Sequence, residues 1–297
     1  MKKSVLALAL AFGVTTAFAQ DLTSKKGEPI LPEAGDWAIS TDATPFLNYA
    51  GNFFGKSANN SAPTFNFLAS NSIIVGKYFK DEKTAYRAGI NIGFSKNSAT
   101  NLVDEDNYTG TGITPKVTDK TSVGNTGFGL TAGIEKRKGK TRLQGYYGGE
   151  FGFYFGSTHQ KNTYGNAFGS AGALGTSMSP NSTTWATGGT SVSSVGGTAS
   201  RVTDYKSGTT MQFGVRGFIG VEYFVLPKMS LGGEFGWGLG WTHQGAGQTT
   251  TESPNTTFTG SQTNAAKTGT SGALAIGTDG KNSFFGPSGS LRMNFYF

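Results

Sequence analysis

Apolar and polar residues alternate with a period of two in eight segments of the chain. In one of them, Tyr86, Ile90 and Phe94 occupy even positions, while Arg87 and Asn91 occupy odd positions. Successive side chains of a β-strand point to opposite faces, so each segment predicts a strand with one apolar and one polar face. The eight predicted strands are 36–49, 64–79, 84–95, 125–136, 141–157, 210–225, 229–241 and 283–297.

The last of these segments indicates what surrounds the predicted sheet. One of its faces carries Leu291, Met293, Phe295 and Phe297, and the opposite face carries Arg292. A soluble barrel or sandwich would turn its apolar face inward and its polar face outward. In this chain the charged residues share a face with many glycines, which argues against that arrangement. A closed barrel in a bilayer suits this inverted polarity and also pairs the backbone of its final strand. We therefore predict an all-β fold, a transmembrane antiparallel up-and-down β-barrel of eight strands.

The connections between the predicted strands are alternately short and long. The short ones are the turns at 80–83, 137–140 and 226–228. The long ones are the loops near 50–63, 96–124, 158–208 and 242–282. Short periplasmic turns and long extracellular loops are typical of bacterial outer-membrane barrels. The two longest loops are rich in Gly, Ser, Thr and Asn, a composition that cannot bury a core. A loop hairpin that crossed the bilayer would raise the strand count to ten.

The N-terminus has the pattern of an export signal. Two lysines precede an apolar run, and a small-residue cleavage site follows at Ala19, so we predict a signal peptide of residues 1–19. Residues 20–35 show no periodicity and are expected to form a periplasmic lead-in. The barrel and its loops then occupy 36–297. This order predicts export and localisation in the bacterial cell outer membrane of a Gram-negative organism.

The composition excludes several classes of function. Without cysteine, the chain has no disulfide, no thiolate metal site and no cysteine for a lipid anchor. The formal charge of +7 comes from basic residues dispersed along the chain, which form no stripe for nucleic acid. Its 46 glycines and 13% aromatic residues fit short strands joined by loose loops.

Acidic and basic residues are nearly balanced on the predicted inward face. An eight-stranded barrel has room inside only for side chains, and an isolated buried ion costs several kcal/mol. We therefore predict an ion-pair network that plugs the lumen, formed by Asp42, Arg87, Glu135, Arg142, Glu150, Arg216, Glu222, Glu234 and Arg292. The alternative is a narrow channel for small solutes or ions, with these charges as its constriction.

The second predicted strand places one lysine on its outward face. Its apolar residues Val75 and Phe79 are assigned to the outward face. That register also turns Lys77 outward, close to the lower membrane boundary, where a lysine can extend its ammonium group to water.

The two histidines are the only candidates for catalysis. His159 and His243 fall just above predicted strands, at the outer rim. A hydrolase would need a nucleophile and an acid fixed beside such a histidine, and serines and threonines are too frequent here to single one out. Solvated loop histidines are the favoured interpretation, and a rim hydrolase is the second alternative. No histidine cluster indicates a metal, so we assign no catalytic residue, no metal ligand and no cofactor.

The chain resembles the small OmpA/OmpX-like outer-membrane barrels in its architecture and its terminal strand. Leu291, Met293, Phe295 and Phe297 match the C-terminal recognition strand of such proteins residue by residue. The resemblance implies that the barrel-assembly machinery binds this strand. It also implies contact with outer-membrane lipid and lipopolysaccharide, and a structural or surface-interaction role with a surface ligand at the loops.

Overall fold

The fold is described by a computed structural model over residues 22–55, 74–168, 179–255, 260–278 and 290–297, apart from Lys25 and Asn107. The predicted signal peptide of residues 1–19 lies outside these ranges, and so does most of the second predicted strand below residue 74. The described residues form fourteen strands and one helix.

The elements follow one another along the chain with these bounds: β1 (Trp37–Asp42), α1 (Thr44–Phe54), β2 (Ile74–Asp81), β3 (Thr84–Asp104), β4 (Lys116–Lys138), β5 (Leu143–Thr163), β6 (Asn181–Trp185), β7 (Val192–Gly197), β8 (Arg201–Lys206), β9 (Thr210–Leu226), β10 (Met229–Gln244), β11 (Gln248–Pro254), β12 (Ser261–Lys267), β13 (Ser271–Thr278) and β14 (Ser290–Tyr296).

Eight of these strands form a closed antiparallel ring, which confirms the predicted fold class. The order around the ring is β1-β2-β3-β4-β5-β9-β10-β14, and β14 returns to β1. At the closure, Met293 pairs with Thr41 on one side and with Leu231 on the other. Because the ring is closed, both edges of the terminal strand find backbone partners along the paired residues.

Side-chain polarity in the ring is inverted with respect to a soluble protein. The outward face is apolar and exposed, as at Phe94 (64%), Ile92 (59%) and Val215 (52%). The inward face contains fully buried charges, as at Glu135 and Glu222. A hydrocarbon environment satisfies the first set, and only mutual pairing satisfies the second.

The first ring strand is shorter than the alternation predicted. It ends at Asp42, and the helix α1 occupies 44–54, where the sequence indicated strand up to residue 49 and then loop. A proline stands in the first turn of this helix, a position in which its missing N–H removes no hydrogen bond.

The predicted register of the second strand is wrong. Val75, Lys77 and Phe79 are all turned inward and are 2%, 1% and 0% exposed. The register pairs Lys77 with Arg87 and Tyr78 with Tyr86, so Tyr78 rather than Phe79 faces outward. The lower end of the lumen is apolar, so both faces of β2 carry apolar side chains there. Alternation of apolar and polar residues alone therefore did not show which face of β2 is inward.

Much of the chain predicted as long loops is strand. β3 and β4 continue as one hairpin beyond the apolar belt, so that only 105–115 connects them. Above the ring, β5 pairs with β8, β8 with β11 and β11 with β12. The strand β13 pairs with the upper part of β10, from Trp237 to Gln244. The hairpin of β6 and β7 is separate from this sheet.

This upper part, which we call the head, has a small core of its own. Val103, Val123, Phe168 and Trp185 are buried there. The carboxylate of Asp119 accepts hydrogen bonds from the backbone N–H groups of 165 (2.9 Å) and 183 (2.6 Å), which connect the segment after β5 and the strand β6 to β4. The expectation that this composition cannot bury a core was therefore wrong for the head. Within the described ranges, no helix is long and apolar enough to span a membrane.

Candidate functional site

The lumen is crossed by a group of buried ion pairs centred on Arg87. Its Nη1 lies 2.9 Å from Glu234 Oε2 and its Nη2 lies 3.3 Å from Glu234 Oε1. The same guanidinium lies 3.6 Å from Glu135 Oε2 and 3.8 Å from Glu150 Oε2. One arginine of β3 therefore connects carboxylates from β10, β4 and β5.

Two further arginines complete the upper side of this group. Arg216 Nη1 lies 2.8 Å from Glu150 Oε1 and 3.0 Å from Glu234 Oε1. Arg292 Nη2 lies 3.5 Å from Glu234 Oε1. Glu234 is thus contacted by arginines from three strands, which offsets the cost of burying its charge.

The lower side of the group is organised by Glu135 and Glu222. Lys77 Nζ lies 2.9 Å from Glu135 Oε2, and Arg137 Nη1 lies 3.1 Å from Glu135 Oε1. Arg137 also forms an ion pair with Glu222. Glu222 accepts further hydrogen bonds from Ser230 Oγ (3.0 Å), Asn294 Nδ2 (2.9 Å) and Tyr296 OH (2.9 Å).

Together these contacts join five basic and four acidic side chains, which we call the lumen network. Its members are Lys77, Arg87, Glu135, Arg137, Glu150, Arg216, Glu222, Glu234 and Arg292. Seven of these are residues that the sequence placed on the inward face. The other two predicted members lie near its ends: Asp42 is exposed and faces Arg292 in the register, and Arg142 Nη1 donates to the carbonyl oxygen of Phe224 (3.3 Å).

Lys77 and Arg137 are network members that sequence reasoning missed. Lys77 was assigned to the outward face, and Arg137 to a turn. For Arg137 a signal was available, because it lies two residues after Glu135 and therefore on the same face of a strand that continues to Lys138. For Lys77 the useful signal was its pairing with Arg87. That pairing follows if the turn between β2 and β3 is shorter than the predicted turn at 80–83.

An apolar layer closes the lumen beneath the network. The rings of Phe79 and Phe224 lie 5.6 Å and 5.2 Å from the ring of Tyr296. Ile30 of the N-terminal lead-in packs into the same cluster and is fully buried. The guanidinium of Arg137 lies 5.2 Å above the ring of Phe79, so charge and aromatic layer are in direct contact. We call the layer formed by Ile30, Phe79, Phe224 and Tyr296 the floor.

The lead-in is fastened to the barrel by its own backbone. The N–H of Gly35 donates to the carbonyl of Phe79 (2.7 Å), and the N–H of Lys228 donates to the carbonyl of Ile30 (3.4 Å). Lys228 also forms an ion pair with Asp36. The segment before the first strand is therefore part of the lower end of the barrel.

The two histidines lie in different surroundings. His159 Nε2 lies 2.7 Å from Asp204 Oδ2, and both side chains are partly exposed on the outer face of the head. His243 stacks on Trp241 with ring centroids 5.7 Å apart and planes 10° apart. No described contact brings a serine or threonine hydroxyl to either ring. Within the described ranges, no three His, Asp or Glu side chains are grouped as a metal would require.

The terminal strand shows the predicted alternation with one exception. Leu291, Phe295 and Phe297 are exposed on the outer face, whereas Met293 is only 9% exposed. The backbone N–H and C=O of Phe297 are both paired with Trp37 at 2.9 Å. The strand thus closes the ring along its whole described length.

Comparisons with known proteins gave matches among solved structures. No protein-family model matches the chain, and no curated protein matches it by sequence. The structures include the outer membrane protein OprG from Pseudomonas aeruginosa, at 10% identity and a TM-score of 0.27, covering 90% of this chain and 98% of that chain. A major outer membrane protein from Thermus thermophilus is similar at 11% identity and a TM-score of 0.29, covering 89% and 100%. CarO from Acinetobacter baumannii gives 9% identity and a TM-score of 0.26, covering 91% and 100%.

Proposed function

We propose that this chain is an integral outer-membrane β-barrel whose lumen is closed and whose head carries a structural or surface-interaction role. It is non-catalytic in this proposal. The single observation that carries the proposal is the inverted polarity of the ring, with apolar side chains exposed outside and charged side chains buried inside. This arrangement is stable only if hydrocarbon surrounds the barrel.

The closed lumen is supported by the stacking of two layers. The lumen network fills the middle of the ring with paired charges, and the floor lies beneath it. Arg87 and Glu135 are 3% and 0% exposed, and Phe79 and Phe224 are not exposed at all. A conducting pore would instead keep charged side chains hydrated along a continuous path. The alternative of a narrow channel therefore has less support than a plug.

A rim hydrolase has less support than a non-catalytic head. The His159–Asp204 contact supplies two members of a possible triad, but a triad needs a nucleophile on the other ring nitrogen. No described hydroxyl contact meets that requirement. The head instead consists of extended strands with polar outer surfaces. Such a surface can present a binding site to an external ligand.

The remaining parts of the proposal concern export, assembly and lipid. An export signal at 1–19 would bring the chain to the periplasm. The exposed apolar residues Leu291, Phe295 and Phe297, with Met293, would serve as the strand bound by the barrel-assembly machinery. Outer-membrane lipid and lipopolysaccharide would contact the outward face.

Single-channel recording in planar bilayers tests the closed lumen. The mature protein is refolded into vesicles, and insertion is verified separately by heat-dependent migration and by a protease-protected core. We expect inserted protein to give no discrete conductance steps. Steps whose size changes in Arg87→Gln or Glu234→Gln variants, with insertion unchanged, would establish the narrow channel instead.

A further inference from the structure

The ring closes through a short pairing between its first and last strands, which we call the seam. β1 pairs with β14 only from Ala38 to Asp42, and with β2 only from Trp37 to Ser40. By contrast, β3 pairs with β4 along its whole length. β1 is therefore the least extensively paired strand of the ring, and the closure of the ring depends on its short ladder with β14.

Residues 22–36 form a small folded unit before β1, which we call the strap. The N–H of Ile30 donates to the carbonyl of Leu22 (2.8 Å), and the N–H of Gly27 donates to the carbonyl of Ser24 (2.9 Å). Gly27 has a φ of 84°, in the left-handed region that favours glycine. The first part of the strap is therefore a tight hairpin that ends at Ile30.

The strap is fastened to both sides of the seam. On one side, the N–H of Gly35 donates to the carbonyl of Phe79 in β2 (2.7 Å), and the N–H of Phe79 donates to the carbonyl of Asp36 (2.9 Å). On the other side, Lys228 in the turn between β9 and β10 donates its N–H to the carbonyl of Ile30 (3.4 Å) and forms an ion pair with Asp36. Because β10, β14, β1 and β2 are consecutive in the ring, the strap spans the seam.

The place that Ile30 occupies requires a closed seam. Its side chain is fully buried in a cluster that contains Phe79 of β2, Phe224 of β9 and Tyr296 of β14. If β14 were not paired with β1, the ring would be an open sheet in which β3, β4 and β5 separate β2 from β9. Neighbouring strands lie about 5 Å apart, so β2 and β9 would then be about 20 Å apart along the sheet. Their aromatic rings could not enclose one isoleucine.

The backbone of Lys228 indicates that it is a positioning residue for the strap. Among the described residues, it is the one non-glycine residue with a positive φ, which is 57°. Residues with a side chain seldom adopt this region, and they keep it where the surrounding structure fixes it. Here the N–H of Lys228 donates to Ile30 of the strap, while its carbonyl accepts the N–H of Tyr296 in the terminal strand (2.8 Å). This residue therefore joins the strap to the last strand of the ring.

We propose that the strap docks only after β14 has paired with β1, and that it then holds the seam closed. The order follows because the place for Ile30 is built from strands on both sides of the seam. The hold follows because opening the seam would expose the apolar side chain of Ile30 to water. A contact that forms after the rate-limiting step of folding slows unfolding and leaves the folding rate unchanged. This behaviour is independent of the role of the head and of conductance through the lumen.

Cysteine pulse labelling tests the order of the two events. The chain contains no cysteine, so Ile30→Cys and Glu28→Cys each give the full-length mature protein a single thiol. Glu28 is exposed and belongs to the same hairpin, so it provides the matched control. Each variant is refolded into phosphatidylcholine vesicles and pulsed with a polar maleimide at successive times. Ring closure is followed in the same samples by heat-dependent migration.

We expect the thiol of Ile30→Cys to become protected only in the fraction that migrates as a closed ring, and the thiol of Glu28→Cys to react throughout. Protection of Ile30→Cys before ring closure would overturn the proposed order. Continued reaction of Ile30→Cys in the closed ring would show that the strap does not dock at all.

Rates of folding and unfolding in urea test the hold on the seam. Lys228→Met removes the ion pair with Asp36 and leaves the floor intact, and Lys83→Met changes an exposed lysine of the turn between β2 and β3 as its control. We expect Lys228→Met to unfold about threefold faster than wild type, and Ile30→Ala about thirtyfold faster. Both should fold at the wild-type rate, and Lys83→Met should match wild type in both rates. Slower folding with unchanged unfolding in Ile30→Ala, or unfolding of all three variants at one rate, would contradict the proposal.

Discussion

Arg87 and Glu234 form a bidentate ion pair across the full width of the barrel. Their strands, β3 and β10, stand four positions apart in a ring of eight, so the two residues come from opposite walls. The Nη1–Oε2 distance is 2.9 Å and the Nη2–Oε1 distance is 3.3 Å. A contact of this kind fixes the distance between opposite walls, which backbone pairing between neighbours does not do.

Removing one member of this pair should be costly. We expect Arg87→Met to lower the free energy of unfolding by about 3–5 kcal/mol, because Glu234 keeps its buried charge but loses a partner. Urea titration of the refolded barrel in lipid vesicles measures this. The matched control is Lys116→Gln, which breaks the half-exposed pair with Asp104 and should cost less than about 1 kcal/mol.

A double variant distinguishes the pair from general damage to the lumen. If Arg87 and Glu234 interact as observed, Arg87→Met/Glu234→Met should cost clearly less than the sum of the two single changes. Strict additivity would show that the two side chains are not energetically coupled.

The lead-in should contribute to the stability of the whole barrel. Ile30 is fully buried against the floor, so Ile30→Ala should lower the unfolding free energy by about 2–5 kcal/mol. Ile113 is 94% exposed, and Ile113→Ala provides a control with the same chemical change and an effect within about 0.5 kcal/mol. The same urea titration applies. An Ile30→Ala variant as stable as the control would mean that the lead-in is not packed into the floor.

One ionisable group of the head supports a prediction about pH. Burial raises the pKa of Tyr164 to about 12, and its hydroxyl donates to the carbonyl of Val202. Between the usual tyrosine pKa of about 10 and this value, the unfolded chain releases a proton that the folded head retains. The head should therefore lose stability as the pH rises from about 10 towards 12. Ultraviolet difference spectra should show one fewer tyrosine titrating near pH 12 in Tyr164→Phe than in wild type, and an unchanged titration curve in that variant would refute the assignment.

The ring was predictable because lipid imposes the alternation. On β3, Tyr86, Ile90 and Phe94 face outward and Arg87 faces inward, as their spacing indicates. The alternation is not informative where both faces of a strand meet the same kind of surroundings. At the lower end both faces of β2 meet apolar surroundings, so Phe79 was placed outward although it belongs to the floor.

The head was less predictable for a different physical reason. Above the belt no hydrocarbon selects apolar side chains, so β3 and β4 continue through polar residues without a distinctive pattern. Its core depends on contacts distant in sequence, such as Asp119 with the backbone of 183. Likewise, Lys77 is recognised as a network member only when the register between β2 and β3 is known.

Close packing inside the lumen can be tested at one glycine. A Cβ added at Gly148 would lie 2.0 Å from the carbonyl oxygen of Ile134 and 2.6 Å from the ring of Phe218, so the wall would have to shift. We expect Gly148→Ala to lower the unfolding free energy by about 1–3 kcal/mol. Gly233 faces outward with nothing within 4 Å of the added atom, so Gly233→Ala should be neutral or slightly stabilising. Because both changes add one methyl group to a strand glycine, equal effects in urea titration would show that the carbonyl of Ile134 and the ring of Phe218 do not crowd Gly148.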